Sequence, residues 1–142
     1  MNDFIHWSTV SVDPWVWWLT ALGATAYFLA VFVPVMPTPR AKLSWAARPL
    51  IPVVGIPLIG LELGSSTAEL LIAYTCFTLS LPLGLGWGRR HLAQLVLDQE
   101  TRGSRPDDML PMGMIARALI VIPCVAGVGM WILIAGYLDS IR

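Results

Sequence analysis

Charge is scarce in this sequence. Only 13% of its 142 residues are charged while 56% are hydrophobic, whereas a soluble domain is usually about a quarter charged. Too little polar surface remains to keep the chain in water, so the composition predicts an integral membrane protein. The formal net charge is zero, which argues against a nucleic-acid partner because such proteins carry a basic excess.

Groups that support chemistry inside a membrane are also missing. The two histidines, His6 and His91, lie outside the apolar segments, which excludes an embedded haem held by paired histidines from two helices. No Asp, Glu, Lys or Arg lies near the middle of an apolar segment, although proton relays and ion pathways usually need such groups. We therefore predict no catalytic residue, no cofactor and no metal site.

Four apolar segments have about the length that a bilayer crossing requires. A hydrocarbon core of about 30 Å needs about 20 residues in helical form. We predict an all-α fold with four transmembrane helices, at residues 15–36, 44–64, 67–87 and 114–138. The remaining regions are an outer interfacial arm (1–14), an inner basic loop (37–43), an inner loop with a juxtamembrane helix (88–113) and an outer tail (139–142).

Local signals mark the ends of these helices. Asp13 and Pro14 are typical of a helix start, with an acceptor side chain before a proline. Ser66 and Glu69 have the spacing of a capping box. The second segment contains Pro49, Pro52 and Pro57 together with Gly55 and Gly60. Because proline removes a helical donor, we predict that this helix is kinked, unless the segment is re-entrant.

The placement of basic residues predicts the orientation. Eight of the nine Lys and Arg residues fall in or beside the first and third connections, namely Arg40, Lys42, Arg48, Arg89, Arg90, Arg102, Arg105 and Arg117. Such residues favour the cytoplasmic side. We expect both termini outside the cytoplasm and a location in a plasma membrane, most simply the bacterial inner membrane. The first 14 residues contain no Lys or Arg, so no signal peptide is predicted.

Arg89, Arg90 and His91 open the predicted juxtamembrane helix and are candidate contacts for anionic lipid headgroups or a partner. The alternative interpretation is a basic anchor that only fixes topology. Small residues predict close helix packing. The candidates are Gly60, Gly64, Gly129 and Gly136, with Thr20, Ala24, Ala26 and Ala30 on the first helix.

The cysteines and the outer carboxylates have simple structural interpretations. Cys76 and Cys124 are expected near the bilayer midplane as small apolar fillers, with a disulfide or metal site as the alternative. Glu69 is expected to cap a helix and Glu62 to face water, rather than to form a cation site.

These features favour a non-catalytic accessory or assembly subunit of a larger membrane complex. Its partners would be the lipid bilayer and other membrane subunits or further copies of itself. The alternative is a small self-assembling pore, in which the second segment lines a water path. A lipid-modifying enzyme is the weakest hypothesis, because the polar residues match no catalytic motif.

The first prediction concerns topology. A reporter fused after Arg142 should read as non-cytoplasmic, and one inserted at Gly103 should read as cytoplasmic, because basic residues favour that side. Paired alkaline phosphatase and fluorescent-protein fusions measure this directly. The opposite reading at either site would contradict the arrangement of four crossings.

Overall fold

The computed structural model describes residues 13–103 and 110–141, and those residues are helical, with turns between the helices and no strand. The helices are α1 (Pro14–Phe32), α2 (Pro39–Ala47), α3 (Leu50–Leu63), α4 (Thr67–Leu85), α5 (Arg89–Arg102) and α6 (Met112–Ser140). Short 3-10 turns, Val33–Val35 and Gly86–Gly88, follow α1 and α4. The predicted arm up to residue 12, including His6, and the loop residues 104–109 lie outside the described part, as does Arg142.

Four helical units are long and apolar enough to cross a membrane. They cover Trp15–Val35, Pro39–Leu63, Thr67–Arg102 and Met112–Leu138, with 21, 25, 36 and 27 residues. Each exceeds the roughly 20 residues that a bilayer core requires. The all-α class and the four long apolar helical segments are therefore confirmed.

The second unit begins earlier than the sequence predicted. Thr38 caps α2, since its Oγ1 accepts a hydrogen bond from the amide of Ala41 at 3.1 Å, and Pro39 occupies the first helical position. Much of the predicted loop 37–43 is therefore helical. The unit is divided into α2 and α3 at Arg48 and Pro49, because proline cannot supply the amide donor that would continue the hydrogen-bond ladder.

The connection between α3 and α4 is defined by caps at both helix ends. Gly64 ends α3 in the left-handed region, with φ of 65°, a conformation that favours glycine. The predicted capping box at the start of α4 is confirmed. The Ser66 amide donates to Glu69 Oε2 at 2.7 Å, and the Glu69 amide donates to Ser66 Oγ at 3.4 Å.

The start of α1 differs in detail from the sequence interpretation. Asp13 occupies the N-cap position, but its side chain makes no capping bond to the helix amides. Its carboxylate accepts instead from Trp15 Nε1 at 3.3 Å. The Asp13 carboxylate therefore binds the indole of Trp15 and not the backbone amides at the start of α1.

Helix α4 is the centre of the fold, because α1, α3 and α6 all pack against it. Its contacts with α6 and α1 are the most extensive. One buried cluster, formed by Ile56, Ala73 and Leu133, joins α3, α4 and α6. Between α1 and α4, the hydroxyl groups of Thr25 and Tyr74 share a hydrogen bond of 2.7 Å.

Helices α4 and α6 approach closely at Gly129. A Cβ atom there would lie 3.0 Å from the Cβ of Cys76 and 3.2 Å from both Cα and O of Ala73. Two of those neighbours are backbone atoms, so they cannot rotate away. This contact fixes the distance between the two helices.

We predict that Gly129→Leu destabilises the fold by about 2 kcal/mol, because added side-chain volume must separate α4 from α6. Unfolding of the purified protein in detergent measures the effect. Gly127→Leu is the matched control, because a Cβ at Gly127 would meet nothing within 4 Å. Equal stability of the two variants would contradict the close approach.

Candidate functional site

The basic end of the molecule, defined as the end formed by α2, α5 and the two 3-10 turns, is built on a cluster of packed aromatic rings. Phe28, Phe32 and Trp45 are all buried. The ring centroids of Phe32 and Trp45 lie 4.7 Å apart, and those of Phe28 and Phe32 lie 5.1 Å apart. Ala93 of α5 belongs to the same buried cluster. These contacts hold α2 and α5 against the end of α1.

Arg48 lies directly over this aromatic cluster. Its guanidinium carbon is 3.8 Å from the centroid of the Trp45 ring, a distance suited to attraction between a cation and a π face. Among the described residues, no carboxylate forms an ion pair with Arg48. The side chain is therefore held in place while its charge remains available for another anion.

A cleft of about 440 Å³ separates α3 from α4 and α6 and includes Arg48 in its wall. Most of the lining is apolar, with Ile56, Phe77 and Leu133 among the contributing side chains. The volume falls within the range of about 300 to 1,000 Å³ that is common for small-molecule sites. An apolar molecule of moderate size fits this space.

Two hydroxyl groups of α4, those of Thr78 and Ser80, belong to residues that line the cleft and are buried. Ser80 Oγ donates to the carbonyl oxygen of Phe77 at 2.7 Å. Thr78 Oγ1 is buried and makes no hydrogen bond within the described structure. An unpaired buried hydroxyl is costly, so Thr78 offers a polar contact that a bound molecule can use.

Arg48 also lines a second, polar recess of about 310 Å³ between α2 and α5. Arg40, Gln99 and Glu100 contribute to its walls. Thr38 Oγ1 donates to Glu100 Oε2 at 2.6 Å, which links the start of α2 to α5. Arg48 is thus shared between the apolar cleft and the polar recess.

The predicted group Arg89, Arg90 and His91 is divided by the structure. Arg89 and Arg90 line a third recess, of about 490 Å³, together with Tyr27 and Trp87. His91 is exposed on α5 and is not among the lining residues. The interpretations as lipid contact, partner contact or topology anchor all remain predictions.

Arg117 strengthens the junction of α4 and α6 beside that recess. Its guanidinium carbon lies 5.2 Å from the Trp87 ring centroid. Its Nε donates to the carbonyl oxygen of Leu83 at 3.3 Å. Carbonyl groups in the last turn of a helix lack intrahelical donors, so this contact satisfies one acceptor at the end of α4.

The four predicted packing glycines have different surroundings. Gly60 faces the side chain of Leu70, Gly129 faces α4, and a Cβ at Gly136 would lie 2.5 Å from Glu69 Oε1. These three lie at contacts within the chain. Gly64 caps α3, and a Cβ there would meet nothing within 4 Å.

The remaining candidate groups are dispersed. Cys76 is half-buried beside Gly129, whereas Cys124 is exposed, and both are free thiols. Glu62 is exposed, and Glu69 serves the capping box. Within residues 13–103 and 110–141, no three His, Cys, Asp or Glu side chains are grouped as metal ligands.

Sequence reasoning missed the shared position of Arg48. It treated this residue only as an anchor near a helix end, because the return of α4 and α5 past Arg48 is not visible in local patterns. Thr78 and Ser80 gave no signal, since single hydroxyl residues are common in apolar helices. The three prolines were the one available indication that α3 would stand apart.

Comparison with protein-family models, with curated proteins and with solved structures finds no match to this chain.

The aromatic cluster generates a stability prediction. Trp45→Ala should lower the free energy of unfolding by about 3 kcal/mol, because a large buried side chain is removed. The exposed Trp87 is the matched control, and Trp87→Ala should cost less than about 1 kcal/mol. Unfolding in detergent compares the two. Similar losses in both variants would contradict the assigned role of Trp45.

Proposed function

We propose that this chain is a polytopic protein with four transmembrane helices, the second of them kinked, that serves without catalysis as an accessory or assembly subunit. The observation that carries the proposal is a line of small residues on the outer surface of α1. Gly23, Ala26 and Ala30 are all exposed. A Cβ at Gly23 would meet nothing within 4 Å.

The position of this line favours a contact with another chain. Ala21, Ala24 and Phe28 are buried, and helical spacing places them on the opposite side of α1 from Gly23 and Ala26. Small residues allow helix backbones to approach closely in lipid, where apolar side chains alone give little preference for association. The internal packing of the bundle already uses the other face.

Helix α3 supports the same interpretation. Several of its large apolar side chains are more than half exposed, including Ile51 at 72% and Leu61 at 81%. Pro57 lies inside the helix and lacks the amide that would bond to the carbonyl group of Val53. Backbone polar groups at membrane depth are tolerated where protein or water satisfies them, so a neighbouring subunit would stabilise this helix.

We further propose that the basic end faces the cytoplasm, with both termini on the other side of a bacterial inner membrane. The support is the distribution of basic residues. Arg48, Arg89, Arg90 and Arg117 lie at this end, and Trp45 and Trp87 accompany them. Tryptophan is enriched at the boundary between lipid and water.

A pore receives less support from the described residues. The cleft beside α3 is lined mostly by apolar side chains, and Ile56 is buried against Ala73 and Leu133. A water path would require polar groups or accessible carbonyls along its length.

Assembly can be tested with a single glycine substitution. Gly23→Leu should reduce a detergent-solubilised complex to the size of the isolated chain on native gels, with the stability of the fold unchanged. The reason is that a leucine there would block close approach from outside without meeting internal neighbours. Gly127→Leu on α6 is the matched control and should leave the complex intact.

Two results would contradict the proposal. One is a wild-type chain that runs alone at all detergent concentrations. The other is dye leakage from vesicles that contain the purified protein, which would favour the pore.

A further inference from the structure

We propose that the apolar cleft and the adjoining polar recess bind one phospholipid with an anionic headgroup, taken from the leaflet at the basic end. An acyl chain would occupy the cleft, and the phosphate would bind Arg48 and Arg40. This inference concerns a lipid site within one chain and does not depend on the accessory role.

The cleft has the properties of a site for an acyl chain. Its volume of about 440 Å³ is bounded by apolar side chains of four helices, α1, α3, α4 and α6. A hydrocarbon chain in the cleft would therefore replace its contacts with bulk lipid by contacts with protein. Gly55 lines the cleft, and a Cβ there would meet nothing within 4 Å. The absence of a side chain at this position keeps the space between α3 and α4 open.

The recess supplies the complementary charge. Arg40 and Arg48 contribute two cations and Glu100 contributes one carboxylate, so the walls of the recess carry one net positive charge. Glu100 Oε2 already accepts from Thr38, whereas no described carboxylate pairs with either arginine. A guanidinium group suits a phosphate because its donors can bind two oxygens at once.

The apolar cleft and the polar recess meet at Arg48. A phospholipid needs such a junction, because its acyl chain and its headgroup are joined. Trp45 holds the guanidinium at 3.8 Å from its ring centroid, which limits the freedom that binding must remove. Basic pockets between helices at a membrane surface recognise phosphate headgroups. A free anion would use the recess alone and would gain nothing from the cleft.

Thr78 lies where the glycerol backbone of the lipid would pass. Helices α3 and α4 are antiparallel neighbours, and Gly60 lies against Leu70. Thr78 follows Leu70 by the same number of residues as Pro52 precedes Gly60, so Thr78 and Pro52 lie near the same level of the bundle. That level is about 6 Å, or roughly one helical turn, from Arg48. The unpaired Thr78 hydroxyl can donate to an ester carbonyl group at this depth.

The test uses the full chain, purified in mild detergent and freed of lipid. Phosphatidylglycerol and phosphatidylcholine with identical acyl chains are titrated separately, and bound lipid is counted by native mass spectrometry. Both headgroups contain a phosphate, but the choline cation of phosphatidylcholine is repelled by the net positive charge of the recess, so phosphatidylglycerol should bind about tenfold more tightly. Inorganic phosphate at millimolar concentration should not displace it.

Variants separate the two compartments. Arg48→Gln should weaken phosphatidylglycerol binding about tenfold and remove the preference between the lipids, and Arg48→Lys should retain most of the preference. Gly55→Leu should weaken binding of both lipids by filling the cleft. The matched controls, Lys42→Gln and Gly127→Leu, alter residues outside both compartments and should change neither affinity.

Equal binding of the two lipids by the wild-type chain would overturn the proposal, as would unchanged phosphatidylglycerol binding by Arg48→Gln. Displacement by inorganic phosphate would also overturn it, by showing a site for the anion alone. If Arg48→Gln does not fold, lipid binding by Arg40→Gln and Gly55→Leu tests the recess and the cleft instead. Unchanged binding in both would then reject the site.

Discussion

The close approach of α4 and α6 is the contact on which the rest of the bundle depends. Gly129 lies against the backbone of Ala73, so the distance between these helices is set by main-chain atoms rather than by flexible side chains. Because α4 also packs against α1 and α3, every other apolar helix is positioned relative to this pair. The absence of a side chain at Gly129 therefore determines this contact, since no rotamer change can move the backbone atoms away from an added Cβ.

Helix α3 shows what happens where that tight packing ends. At its far end, Gly60 fits against Leu70, whereas Gly55 faces open space. The helix thus contacts α4 closely at one end and leaves a cleft at the other. Pro57 lies inside this helix and lacks a backbone donor.

The sequence predicted much of the helical architecture because length and hydropathy depend on composition within one segment. The capping box of Ser66 and Glu69 was also predictable, since both partners lie within one turn. Long-range relations were not. Arg48 could be assigned to a helix end, but its place between a cleft and a recess depends on α4 and α5 returning past it. Gly64 and Gly129 are both glycines with different roles. Gly64 ends α3 with a positive φ, whereas Gly129 allows α6 to approach α4, and the sequence alone does not distinguish these roles.

The join between α4 and α5 makes one long helical unit, Thr67–Arg102, of 36 residues. At 1.5 Å per residue such a unit is about 54 Å long if straight, well beyond a hydrocarbon core of about 30 Å. Its 3-10 turn is held from the side, because a Cβ at Gly88 would overlap Met114 of α6. In a bilayer, the length of this unit beyond the hydrocarbon core would therefore place the polar helix α5 at the level of the lipid headgroups, next to the end of the helix that organises the interior.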